Sequence, residues 1–274
     1  MIKRYINALL QTINFPFRVI KIRSRIGKID KKAPFDGELH DNGVFHTNLS
    51  KACINDLERI FLREKSQARS SVYLQKSDMR CVGIIFNTLE PIVRSYVGEE
   101  CYLDGINWMV TKPKEASISG NWHTDNVGTR LKCFICIEGD GDMPTLIIPS
   151  DQRVPGFIKI FKDTAIEIFR WAGFRNEAAF KNFFSADHKR GSLYLFDTQL
   201  LHRGGYTLAN SDRVIFHLEF SDRRKHRLIS GPIGTKKYNK FSFEKELLSI
   251  GSFEKLLDKD RFSEEQEIVA YGNS

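Results

Sequence analysis

The sequence predicts a mainly β protein with helices, an α+β chain whose β core spans about 101–222. Short runs rich in branched and aromatic residues, bounded by turn residues, fill that span. Helical spacing precedes it and returns after it, with a helical insert inside. A length of 274 residues suits one large domain, and 21 phenylalanines supply the bulky side chains that fill its interior.

Leu57, Ile60 and Phe61 recur at helical spacing and predict a helix over 55–65. A second predicted helix covers 84–97 and contains Pro91, which removes a backbone donor and favours a kink. The period then changes. Tyr102, Leu103, Ile106, Trp108 and Val110 predict a strand stopped by Thr111-Lys112-Pro113, and strands over 131–137 and 145–148 follow. A helical insert is expected over 155–184, then strands over 192–196 and 213–220. Phe243, Leu247 and Leu248 line one face of a tail helix expected over 241–257. No repeat or linker divides 33–274, which reads as one domain with a helical tail over 223–274.

The net charge of +8 belongs to one segment. Residues 1–32 hold Lys3, Arg4, Arg18, Lys21, Arg23, Arg25, Lys28, Lys31 and Lys32 against Asp30 alone, so the remaining residues balance. A chain-wide basic surface for gripping nucleic acid is therefore not expected. The same arm carries Ile2, Tyr5, Ile6, Leu9, Leu10 and Ile13 at helical spacing, then Phe15, Phe17, Val19, Ile20 and Ile22 around Pro16. Basic and amphipathic, it suits either peripheral contact with an anionic membrane surface or packing on the domain. Asn7, Gln11, Thr12 and Asn14 interrupt the apolar run, which argues against a secretory signal, and no run approaches membrane-spanning length. The location expected is cytoplasmic, peripheral at the inner face of the membrane.

Five cysteines, Cys53, Cys81, Cys101, Cys133 and Cys136, make an odd, irregularly spaced set, so a disulfide framework is not expected. Cys133 and Cys136 sit three apart in an apolar run, where a strand sends them to opposite faces.

The chemistry concentrates in two short segments. Asn121-Trp122-His123-Thr124-Asp125 follows the first core strand, and Leu201-His202-Arg203-Gly204 follows a later one, 79 residues on by its histidine. Two imidazoles and a carboxylate form a facial triad, which binds one side of iron(II) and leaves positions open for a chelating oxo acid and dioxygen. A bare His-x-Asp is weak evidence, since roughly 0.4 chance occurrences are expected in such a chain. Its setting adds weight, because Arg213 stands 11 residues beyond His202, where a guanidinium would engage the far carboxylate of a diacid.

With these residues in place, the chain resembles the iron(II)/2-oxoglutarate dioxygenases, and among them the phytanoyl-CoA dioxygenase-like branch, over about 83–222. The resemblance rests on Tyr96-Val97-Gly98, Trp122-His123-Thr124-Asp125, the segment Met143-Pro144-Thr145-Leu146-Ile147-Ile148-Pro149-Ser150, Gly191-Ser192-Leu193, His202-Arg203-Gly204 and Arg213. It implies a double-stranded β-helix of jelly-roll, cupin-like kind, with His123, Asp125 and His202 as catalytic metal ligands and Arg213 on the co-substrate. Gly204 stands where the family often has Ser, and Thr145 or Thr207 would supply the hydroxyl. Asp151-Gln152-Arg153 replaces the usual Gly-Ser-His. The implied cofactor set is iron(II), 2-oxoglutarate as co-substrate and dioxygen, with ascorbate as an optional addition. Asp125, which halogenating relatives lack, implies hydroxylation. Trp122, Asn107 and Trp108 read as packing beside the metal turn, while His217, His226 and the run Arg223 to Arg227 read as solvated or substrate-facing charge.

The basic arm and that second basic run point to an anionic, membrane-associated lipid or lipid-linked sugar, and the arrangement is similar to that of the lipid A Kdo hydroxylases. Two alternatives stand beside this reading. One is a soluble hydroxylase of a small metabolite or acyl-CoA, and the other a non-catalytic membrane-associated β-helix adaptor.

Overall fold

The computed structural model describes residues 38–66, 72–112, 122–123, 130–141, 143–149, 182–204, 212–222 and 241–257. A short helix, α1 (Glu38–Asn42), leads into strand β1 (Val44–Asn48). Helix α2 (Lys51–Ser66) covers the predicted 55–65 and starts earlier because the Ser50 hydroxyl accepts the Cys53 N–H at 3.3 Å, capping an otherwise orphaned donor. Its buried Cys53, Ile54, Leu57 and Ile60 form one stripe. After β2 (Tyr73–Leu74), helix α3 (Met79–Val97) buries Val82, Ile85, Phe86, Leu89 and Val93, and continues through the exposed Pro91. Tertiary packing of that apolar face outweighs the local cost of the proline.

The remaining strands are β3 (Cys101–Thr111), β4 (Arg130–Glu138), β5 (Thr145–Ile147), β6 (Phe184–Ala186), β7 (Ser192–Asp197), β8 (His202–Gly204), β9 (Arg213–Asp222) and β10 (Ser242–Phe243). They make a five-stranded sheet in the order β1-β7-β4-β9-β3, a three-stranded sheet in the order β6-β5-β8, and a β10-β2 pair. Every ladder in the two larger sheets is antiparallel. From β3 onward the chain alternates between them: β3 large, His123 bridged to the small sheet's β8, β4 large, β5 and β6 small, β7 large, β8 small, β9 large. Neighbouring strands are thus distant in sequence.

Cross-strand partners share a face. One face of the large sheet presents Val214, Phe216, Leu218 and Phe220 of β9 with Cys133, Ile135, Leu193 and Leu195, and packs under α2 and α3 to form the main core. Its opposite face presents Ile215, Phe134, Phe196 and Val44, which pack on Ile147 and Phe184 of the small sheet. The two sheets therefore pack face to face. The architecture is mixed α+β and mostly sheet.

Several expectations shift. Strand β1 adds to the large sheet from outside 101–222, held by its ladder with β7. Phe184 lies in β6 and not in a helix, while 150–181 of the expected insert falls outside the described residues. The tail expected as one helix divides into β10, a 3-10 turn (Lys245–Ser249) and α4 (Gly251–Leu256). Phe243 is taken up as a strand residue, and its ring meets Phe253 edge-on at 5.2 Å, a contact that one continuous helix does not offer residues so far apart. All five cysteines are free and buried. Cys133 joins the helix-side core while Cys136 bonds the backbone of His188, so the two do face oppositely. The arm over 1–32 lies outside the described residues. Among the described residues, no helix is long and apolar enough to cross a membrane.

Candidate metal centre

His123 and His202 are directly opposed. The His123 N–H donates to the His202 carbonyl at 3.0 Å and the His202 N–H to the His123 carbonyl at 2.9 Å, an antiparallel bridge that puts both side chains on one face. Their ring centres lie 4.5 Å apart with the planes at 50°. Two imidazoles bound to one ion at a right angle, with metal–nitrogen bonds of roughly 2.1 Å, place their ring centres on the order of 4.5 Å apart. The observed spacing fits a shared ion.

The orientation of His202 fits as well. Its Nδ1 lies 2.9 Å from the Leu200 carbonyl, which only accepts, so Nδ1 carries the proton and Nε2 the lone pair. Metal-binding histidines are commonly held this way. Phe196 packs edge-on against the same ring at 5.2 Å. Behind the pair, Trp122 is fully buried with Leu146 and Leu201, and the Arg203 guanidinium lies 5.4 Å from the Trp122 ring. Trp122 is packing, as its position beside the turn implied. Asp125 and Thr207 lie outside the described residues, and no third His, Cys, Asp or Glu joins the pair among those described.

Arg213 opens β9 on the inner face, opposite Thr111 of β3. It is buried, and donates through Nη1 to the Met143 carbonyl at 2.5 Å and through Nη2 to the Thr111 hydroxyl at 3.2 Å. Its Nε–H has no partner, and no carboxylate pairs with it among the described residues. Burial pulls its pKa down to about 10, which still leaves a cation at neutral pH. A buried cation without a counter-ion is a place for an anion.

The ladder connects this end to the histidines. His202 pairs with Ile147, and Gly204 with Thr145, so Thr145 is two positions along the same face. That step is roughly 6.8 Å at strand spacing, a reach suited to 2-oxoglutarate. The Thr145 hydroxyl lies 2.8 Å from Nε2 of His188. No periodicity singled out His188; its only cue was a polar aromatic residue in the turn before Gly191. That turn has Gly191 at φ +96°, a conformation other residues rarely adopt.

A polar row continues along the inner face of β9. His217 Nδ1 contacts the Asn107 side-chain oxygen at 3.0 Å, and Glu219 forms an ion pair with Arg130. His217 is buried, which removes the solvated reading and leaves it facing the interior. Asn107 shares that interior, whereas Trp108 points the other way and packs on Phe61 and Phe216. The run Arg223 to Arg227 and His226 are outside the described residues.

No protein-family model matches the chain, and no curated protein does. Among solved structures it is similar to EvdMO1, at 14% identity and a TM-score of 0.44, over 67% of this chain. The chain spans about half of EvdMO1, 48% of its length. It is also similar to HygX from Streptomyces hygroscopicus, solved with nickel and 2-oxoglutarate bound, at 10% identity and a TM-score of 0.46, over 67% of this chain and 84% of HygX. A third is the non-heme alpha ketoglutarate dependent carbocyclase SnoK from nogalamycin biosynthesis, at 10% identity and a TM-score of 0.46, over 67% and 81% of the two chains.

Proposed function

We propose that this chain is an iron(II)- and 2-oxoglutarate-dependent oxygenase of the phytanoyl-CoA dioxygenase-like branch, built on a double-stranded β-helix, that hydroxylates an aliphatic C–H bond. The observation that carries the reading is the opposed His123–His202 pair, with the His202 tautomer set by the Leu200 carbonyl. His123, His202 and Asp125 would hold the metal, and Arg213 with Thr145 or Thr207 the far carboxylate of the oxo acid. Bound there, iron(II) with 2-oxoglutarate and dioxygen supplies the oxidising chemistry, leaving succinate and carbon dioxide beside the hydroxylated product. The chain's own work is positional. Phe196 and Leu200 fix the His202 ring, Trp122 shields the back of the bridge from water, and the cation of Arg213 selects a diacid. Succinate formation that requires iron and is lost in His123→Ala tests this; its absence with intact protein across plausible substrates would favour a non-catalytic adaptor.

The substrate class in this proposal is an anionic, membrane-associated lipid or lipid-linked sugar, for example the Kdo sugar of lipid A. Support comes from the basic amphipathic arm over 1–32 and the basic run at 223–227. The inner row of Arg130, Glu219, His217 and Asn107 offers polar groups to such a substrate. Incubation with Kdo-bearing lipid A, iron(II) and 2-oxoglutarate is expected to add one oxygen atom to the sugar. Sedimentation with anionic vesicles, with and without residues 1–28, tests the peripheral, cytoplasmic-face placement; no difference would favour a soluble hydroxylase of a small metabolite or acyl-CoA.

A further inference from the structure

His188 is 1% exposed, yet its Nδ1 has no hydrogen-bond partner. A neutral imidazole has one N–H and one lone pair, and burial beside the charge of Arg213 holds this ring neutral, far below the usual imidazolium range. The residue's backbone is firmly seated. Its carbonyl accepts the Cys136 thiol at 3.0 Å, its N–H donates to the Ala186 carbonyl at 3.0 Å, and a Cβ on Gly139 would come within 2.4 Å of the same carbonyl oxygen. Gly139 thus permits the close approach of β4 that fixes His188. Arg213 reaches the same place from β9, bound to the Met143 carbonyl two residues before Thr145, with its own Nε–H unpartnered.

Arg213, bonded to the Met143 carbonyl, and His188, bonded to the Thr145 hydroxyl, flank the Met143–Thr145 segment, and the unmet Nε–H of the buried Arg213 calls for a small ligand there. The ligand must be an anion, because Arg213 is the charged member. It must also accept, because the unmet Arg213 Nε–H is a donor. A carboxylate meets both conditions. The unmet His188 Nδ1 is left as the lone pair, since an orphaned buried acceptor is less costly than an orphaned N–H, and the ring proton then sits on Nε2. We infer that His188 is a positioning residue for the far carboxylate of the co-substrate: its Nε2–H donates to the Thr145 oxygen, which turns the Thr145 O–H outward to join Arg213 on that carboxylate. This rests on the oxo-acid reading above and adds to it a residue that acts through another.

The test uses the full chain loaded with nickel(II), with calorimetric titration of 2-oxoglutarate against 2-oxopentanoate, which keeps the chelating end and lacks the far carboxylate. Wild type is expected to prefer the diacid strongly. His188→Leu should lose roughly tenfold or more of that preference, as befits a hydrogen bond to a charged group, with 2-oxopentanoate binding unchanged. His188→Gln, which keeps an N–H near the Nε2 position, should restore most of it. Thr145→Val should lose as much as His188→Leu, and keeps the test open should the leucine variant not fold. A folded His188→Leu protein with the wild-type preference, or a glutamine variant no better than leucine, overturns the assignment. Wild type that binds neither oxo acid instead overturns the underlying oxygenase reading, and the assignment with it.

Discussion

Along β9, Val214, Phe216, Leu218 and Phe220 sink into the core beneath α2 and α3, whereas Arg213, His217 and Glu219, also buried, face the small sheet with charge and hydrogen-bonding groups. The apolar side recovers free energy at about 25 cal/mol per Å² withdrawn from water. The polar side must overcome desolvation, and in Arg213 and His188 it leaves buried nitrogen atoms without partners. One face contributes stability, and the other is the one proposed to bind. The contrast makes opposite demands on substitutions only one residue apart.

The largest effect is expected at the proposed metal pair. His202→Ala should lower iron-dependent succinate release by more than roughly 100-fold, since even an outer partner of a metal ligand is worth 10- to 100-fold. The urea unfolding of the metal-free protein should change by only about 1–3 kcal/mol, the cost of a buried ring lost from Phe196 and of an unmet Leu200 carbonyl. On the other face the pattern reverses: Phe220→Ala should cost about 3–5 kcal/mol in urea unfolding, while the folded fraction keeps its metal affinity. Arg213→Met sharpens the comparison within β9. It should raise the KM for 2-oxoglutarate roughly 10- to 100-fold, with unfolding stability unchanged or increased, because the cation removed is buried and has no carboxylate partner among the described residues.

The smallest effect is one of pH. His188 titrates below its unfolded value because burial and Arg213 disfavour its charged form. Its neutral form therefore contributes stability that is complete above about pH 6.5 and declines as pH falls toward the depressed native value, where only the unfolded chain takes up the proton. Unfolding measured from pH 7.5 to 5.5 should fall more gently in His188→Gln than in wild type.

Much of the fold was legible because period survives without tertiary context. Leu57, Ile60 and Phe61 located α2, and the strands at 102–110, 131–137 and 213–220 fell close to β3, β4 and β9. Elements that exist only through partners were not. Strand β1 reads Val-Phe-His-Thr-Asn with little alternation and is defined by β7, and β8 is three residues long. At the site, the spacing of His123, His202 and Arg213 was readable because their residue types are uncommon together. No periodicity marked His188, whose place depends on the approach of Gly139, just beyond the end of β4.

The central claim is that the inner face gathers one metal ion between His123 and His202. Titration of the metal-free protein with manganese(II), with the free ion counted by electron paramagnetic resonance, addresses it without any substrate. One ion bound per chain in wild type, and none at the same concentrations in His123→Ala or His202→Ala, is the expected result. Wild type that takes up no ion, or histidine variants that retain one ion with undiminished affinity, would contradict it.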